Sequence, residues 1–338
     1  MKSSIISTQS LPASGPWPTL DPFLFCVHHN DIYPYANENK GPKASLANRN
    51  IGQDFSNIDG WNMYHGKTVP GFPKHPHRGF ETITIVRKGL IDHADSLGAA
   101  ARYGNGDVQW LTAGNGINHS EMFPLLNTAD KNPIDFFQIW LNLPARSKRV
   151  PPVFSMFWDK SIPRGEHIDE NNLKTQYSIV AGAFNELTAP EPPPNSWAHS
   201  KENAVRIVYA TLEPRAQWKL PEAPKGTNRA LYFFSGTSLL IDEQPIHQSS
   251  LTLLRPDSNP MLQAAEDHVE VLLLEGHPIG EPVFKHGPFV MNTREEIMEA
   301  FSDYRRTGFG GWPWSSTAPI HGDSSKRFAR HNSKEEGP

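Results

Sequence analysis

Short apolar runs recur along the chain with glycines and prolines between them: TITIV at 82–86, VQWL at 108–111, FFQIWLNL at 136–143, VRIVYATL at 205–212, RALYFFSG at 229–236, TSLLID at 237–242, SLTLLRP at 250–256 and VEVLLLEG at 269–276. These runs are too short for buried helices and rich in β-branched and aromatic residues, so they read as strands. Gly89, Gly98, Gly104, Gly106, Gly114 and Gly116 punctuate the first half, as the turns of a β-barrel or sandwich do. LDPFLFCV at 20–27 reads as an entry strand. Residues 35–70 are polar and follow neither periodicity, which predicts a long loop of the kind found near a site as a lid. The pattern changes once, near the C-terminus. Thr293 and Glu296 form a capping box, and Ile297, Phe301 and Tyr304 share one helical face, which predicts a short helix packed on a barrel. GFGGWPW beyond it is compact and aromatic, with Trp312 and Trp314 read as ordinary packing, and the closing GDSSKRFARHNSKEEGP reads as a mobile tail.

The expected fold is therefore all-β with a short C-terminal helix. A length of 338 residues favours two domains, and LPARSKRVPP is the natural boundary. This divides the chain into 1–144, an N-terminal barrel; 145–290, a second barrel; and 291–338, helix and tail. The densest basic cluster, Arg146, Lys148 and Arg149, falls in that boundary and reads as a solvated linker. With 32 basic against 36 acidic side chains, the net charge of -4 gives no general attraction to nucleic acid or anionic membrane. No apolar run approaches the roughly 18 residues of a membrane span, and MKSSIISTQSLPASG is too polar for a secretory leader. Cys26 is the only cysteine, so no internal disulfide can form. These features place the protein in the cytoplasm, or also the nucleus if it is eukaryotic.

The candidate chemistry sits between residues 75 and 121, in two X-x-X pairs: His75 with His77, and His119 with Glu121. Side chains two apart on a strand share a face, and each pair lies where a short strand is expected. If both strands belong to one sheet with that face inward, three imidazoles and a carboxylate converge, which is a metal site. Imidazole suits Fe, Cu, Ni or Zn, and an N3O set on a six-coordinate metal leaves two positions open. With 15 histidines in the chain, one HxH alone carries little weight; two matched pairs carry more. His28 and His29 are adjacent and point opposite ways on a strand, so they read as surface or internally satisfied. No HxH or HxE occurs between 205 and 276, where His247 and His268 stand alone and read as surface. The second half thus repeats the first half's strand grammar without its ligands.

LDPF, HPHRGFET, GDVQWLTAGNGINHSEM and GPFVMNTREEI, in this order, resemble the pirin family of the cupin superfamily over roughly residues 20 to 310. The resemblance implies two stacked cupin barrels of jelly-roll type, with one metal, commonly Fe2+, in the N-terminal barrel only; Cu, Ni, Mn and Zn are the alternatives. Matched position by position, the family's ligands fall on His75, His77, His119 and Glu121. Most metal cupins take their carboxylate from the first motif, where this chain has Glu81. Were the strand from 75 unbroken, Glu81 would face inward and orient a ligand imidazole. The resemblance also implies quercetin 2,3-dioxygenase activity on a flavonol and O2, with Glu121 as general base, and a monomer. Its alternative is a redox-responsive, non-catalytic partner of a transcription factor or metabolic enzyme. A closed structural zinc site is a third reading.

Overall fold

The computed structural model describes residues 3–331 and 334–338. It is built of antiparallel β-sheet with one α-helix, α1 (Arg294–Thr307). Its contacts separate two units, each assembled from two stretches of chain: His28–Asp159 with Glu281–Pro338, and Met1–Val27 with Lys160–Gly280. The contiguous division at 144 and 290 differs from this for a topological reason. The N-terminal strand β1 (Ile5–Ser10) pairs with Ser250–Leu254, while the segment after Gly280 packs with the earlier strands.

The first unit contains β2 (Phe23–Tyr33, from His28 onward), β3 (Gly71–His77), β4 (Phe80–Lys88), β5 (Leu90–Asp95), β6 (Ala100–Gly104), β7 (Val108–Thr112), β8 (Ile117–Met122), β9 (Asn132–Asn142) and β10 (Val153–Phe157). One sheet runs β10-β7-β4-β9-β2; the other runs from two C-terminal strands through β6, β5 and β8 to β3 at its edge. The core lies between them, with Ile91, Tyr103 and Ile117 from one sheet meeting Val86, Leu111 and Phe136 from the other. The second unit repeats the plan, a seven-stranded sheet closing with a four-stranded one over Val208, Leu231, Val271, Trp218, Leu239 and Leu262. Both follow from strands that are apolar on the face they bury.

α1 forms as its sequence predicts. Thr293 Oγ1 accepts from the Glu296 backbone N–H, and the Glu296 carboxylate accepts from the Thr293 N–H, completing the capping box. Ile297, Phe301 and Tyr304 then lie against Phe289, Met291 and Phe309.

Residues 35–70 are irregular, as their lack of period predicts, but they are pinned. Arg49 is buried over the Trp61 ring at 3.3 Å and pairs with Asp54 at 2.9 Å. Tyr64 donates to Asp31 at 2.6 Å and meets His29 Nδ1 at 2.8 Å. His28 Nε2 lies 2.9 Å from Asp135. Both adjacent histidines are thus internally satisfied, and burial lowers the His29 pKa to about 3.

Two expectations fail. The C-terminal segment is not a free tail: Phe328–His331 adds to the sheet beside β6, with Ala329 fully buried, and Arg327 pairs with Asp107 at 2.8 Å. Its polar composition hides this because the pairing is long-range; residues 332 and 333 lie outside those described. Nor is the basic cluster solvated throughout: Arg146 and Arg149 are exposed, but Lys148 is not. Lys148 is 1% exposed, and its ammonium donates to Gly79 O (2.8 Å), Asn142 Oδ1 (2.7 Å) and Val290 O (3.2 Å). Arg149 pairs with Glu299 at 2.6 Å. Three acceptors that no local pattern reveals turn this lysine into a clamp. Replacing it (Lys148→Met) should leave them unpaired and lower unfolding stability by roughly 2–4 kcal/mol in urea titration; a change under about 0.5 kcal/mol would show that the clamp contributes nothing.

Candidate metal centre

The HxH and HxE pairs end up side by side because β3 and β8 are hydrogen-bonded antiparallel neighbours, with His75 directly opposite His119. A register shift between Phe72 and His75 sets that alignment. On the other side of β8, Asp95 of β5 stands opposite His119, and His93 opposite Glu121. Residues opposite one another share a face. One face of this sheet therefore carries His75, His77, His119, Glu121, His93 and Asp95.

The ligand atoms of His75, His77 and His119 lie within 4.8 Å of one another, and this is the one cluster of its kind among the described residues. Ring centroids are 4.4 Å apart for His75 and His119, 4.8 Å for His75 and His77, and 4.9 Å for His77 and His119. Glu121 stands beside the trio, its Oε2 3.8 Å from His119 Nε2, while its Oε1 accepts from Thr84 Oγ1 at 3.1 Å. His75 Nδ1 donates to Pro73 O at 2.9 Å, which fixes the tautomer and leaves Nε2 with a free lone pair. His119 is buried with neither ring nitrogen hydrogen-bonded, and His77 Nδ1 is likewise unpaired. Buried imidazole nitrogens without partners are costly unless something else engages them.

Burial sets the protonation. It lowers the His75 pKa to about 4, and it holds His77 and His119 well below the usual imidazole range, with neighbouring imidazoles adding to the effect. All three are neutral at pH 7, the form that binds a metal. The Glu121 carboxyl is raised by burial to about 6, with His93 and the Thr84 hydrogen bond pulling it back. The donor set thus fits a divalent transition metal: three neutral nitrogens and an adjacent carboxylate.

His75, Phe72 and Lys74 are half-buried on β3. Ring contacts lead outward from His75 to Phe72 (6.4 Å), from Phe72 to His65 (5.6 Å), and from His65 to the exposed Phe55 (5.3 Å). On another side Trp140 lies 5.4 Å from His77.

Glu81 does not face this centre. β3 ends at His77, and Gly79, at φ +87°, turns the chain into β4 of the other sheet. A Cβ there would sit 1.9 Å from Val290 O, so the turn demands glycine. The break resets the alternation: Thr84 meets Glu121, so Glu81, three residues earlier, lies on the opposite face of β4, where it accepts from Thr112 Oγ1 at 2.7 Å. His93 was not expected. It is fully buried, its ring is 5.6 Å from His119, and its Nε2 lies 3.2 Å from Asp95 Oδ2. An H-x-D within the LIDHAD strand was the available signal. In the second unit His247 and His268 are exposed, as predicted.

Comparison with known proteins bears on both units. Residues 13–141 match the family model described as Pirin, and residues 207–310 that described as the Pirin C-terminal cupin domain. A pirin-like protein of Caulobacter vibrioides is 37% identical over 241 residues, covering 71% of this chain and 80% of that protein. A Pseudomonas aeruginosa protein provisionally named a quercetin 2,3-dioxygenase is 34% identical over 239 residues, covering 71% and 79%. The crystal structure of a quercetin 2,3-dioxygenase from Acinetobacter baumannii superimposes with a TM-score of 0.71 at 23% identity, covering 92% of this chain and 99% of that one. At that identity the likeness is one of fold.

The protonation states predict how metal uptake depends on pH. Protons compete with a metal for each ligand below its metal-free pKa, so a raised carboxylate competes first and the depressed imidazoles last. Affinity for Ni(II), measured by equilibrium dialysis, should be flat above about 6 and fall below it as Glu121 protonates. In Glu121→Gln it should be weaker but flat down to about pH 5. An identical pH profile in both proteins would remove Glu121 from the ligand set.

Proposed function

This chain belongs to the pirin family, with its two-cupin fold, and from that footing we propose that it is a metal-dependent dioxygenase of the quercetin 2,3-dioxygenase type. His75, His77, His119 and Glu121 would hold one divalent metal, Fe2+ in the first instance, with Cu, Ni, Mn or Zn as alternatives. Flavonol and O2 would be the substrates. The observation that carries this reading is the combination of three neutral imidazoles, those of His77 and His119 buried, with a carboxylate 3.8 Å from one of their nitrogens and aromatic rings beside His75.

A metal bound here would make a coordinated hydroxyl more acidic by stabilising its oxyanion. The chain's own residues supply the rest. Phe72, His65 and Phe55 offer ring faces and edges to a planar aromatic molecule. Glu121 is ionised at neutral pH, since its carboxyl titrates near about 6, and it stands where it can take the flavonol hydroxyl proton as general base. A pKa close to working pH suits a group that must accept a proton and give it up again. The enolate so formed is electron-rich and reacts with O2, opening the heterocycle and releasing carbon monoxide. The buried His77 and His119 and the β-sheet walls would keep bulk water from that anion.

The test is metal-loaded protein with quercetin and O2, following loss of flavonol absorbance and carbon monoxide release. Glu121→Gln should lower kcat by about 100-fold or more while retaining metal. His75→Ala and His119→Ala should lose the metal itself. Full cleavage by Glu121→Gln refutes the base role. No turnover with iron, copper, nickel or manganese redirects the site to the family's non-catalytic, redox-responsive role.

A further inference from the structure

Across the interior of the first unit, the five-stranded sheet faces Glu121 with a polar row set in an apolar layer. Register places Gln109 of β7, Thr84 of β4 and Gln138 of β9 side by side, while Val86, Leu111 and Phe136 around them belong to the core. Gln109 and Thr84 are fully buried, and the fully buried Tyr103 hydroxyl points at Gln109 Oε1 at 3.5 Å. Polar groups in such a layer cost stability unless they satisfy one another or serve a charge. The charge here is Glu121.

Thr84 Oγ1 lies 3.1 Å from Glu121 Oε1 and 2.9 Å from Gln138 Oε1, so two acceptors face it. The hydroxyl has one hydrogen, and a carboxylate is the stronger acceptor. The amide's oxygen and nitrogen exchange places by a half-turn, and with Nε2 where Oε1 lies, donating to Thr84, every hydrogen in this chain points toward Glu121. One carboxylate oxygen is thereby tethered to the far sheet, and Oε2 is left facing the imidazoles, 3.8 Å from His119 Nε2. Untethered, a terminal carboxylate torsion is broad and nearly two-fold, so neither oxygen would be committed.

We propose that Thr84, backed by Gln138, is the positioning residue that fixes which oxygen of Glu121 is presented to the metal centre. This rests on the reading of Glu121 as ligand and base. It assigns the polar row a purpose that neither the HxH nor the HxE motif contains. The chain also provides an internal control. Thr82 lies two residues away on the same face of β4, equally buried, and its hydroxyl has no hydrogen-bond partner.

Full-length protein loaded with equimolar Cu(II) is compared by electron paramagnetic resonance with Thr84→Val, Thr84→Ser and Thr82→Val. Copper is chosen because it binds such donor sets most tightly and its hyperfine pattern reports ligand geometry. Thr84→Val should still bind copper but with an altered hyperfine pattern, and should lower kcat for quercetin by about 10- to 100-fold with KM little changed. Thr84→Ser should restore both, and Thr82→Val should match the parent. Gln138→Leu, which unlocks the tether from its other end, should alter the spectrum in the same sense and serves if valine at 84 does not fold. Parental spectra in both Thr84→Val and Gln138→Leu overturn the positioning role and leave the metal-centre reading standing. A parent that takes up no Cu(II) overturns that reading and the tether with it.

Discussion

The antiparallel register between β3 and β8 is the constraint on which the rest depends. His75 opposite His119 brings two separate motifs to one place, and the alternation of a strand then decides everything else on that face. A slip of one residue would turn one pair to the opposite face from the other and separate the four side chains. The shift between Phe72 and His75, the glycine turn at Gly79 and the pairing of β8 with β5 all hold this register. They are local devices with a chemical consequence.

Burial then converts geometry into chemistry. In water three imidazoles this close would repel as they protonated; inside the sheet pair, burial keeps them neutral with lone pairs unengaged. The same burial moves Glu121 the other way, toward neutral pH. Desolvation thus keeps the imidazoles neutral and raises the carboxyl, the two directions that a metal-binding set with an adjacent proton acceptor would need. The polar row opposite limits the cost by giving the carboxylate a defined partner.

Much of this was legible in the sequence wherever the determining signal is local. The X-x-X spacing needs only strand alternation, the capping box of Thr293 and Glu296 needs only four residues, and strands such as 269–276 announce themselves by composition. What was not legible depended on distant partners. Glu81 shares the parity of His75 and His77, but the Gly79 turn resets it. Lys148 reads as a surface lysine because its three acceptors come from Gly79, Asn142 and Val290. Residues 328–330 read as part of a tail, yet they pair with β6 and bury Ala329. Thr84 looks like an ordinary strand threonine until Glu121 is placed across from it.

The most direct test is a crystal soaked with Ni(II) and measured at the nickel absorption edge. The account predicts one anomalous peak per chain in the first unit, about 2.1 Å from a nitrogen of His75, His77 and His119 and from an oxygen of Glu121. A peak bound elsewhere, or no peak among these four side chains at saturating nickel, would contradict it.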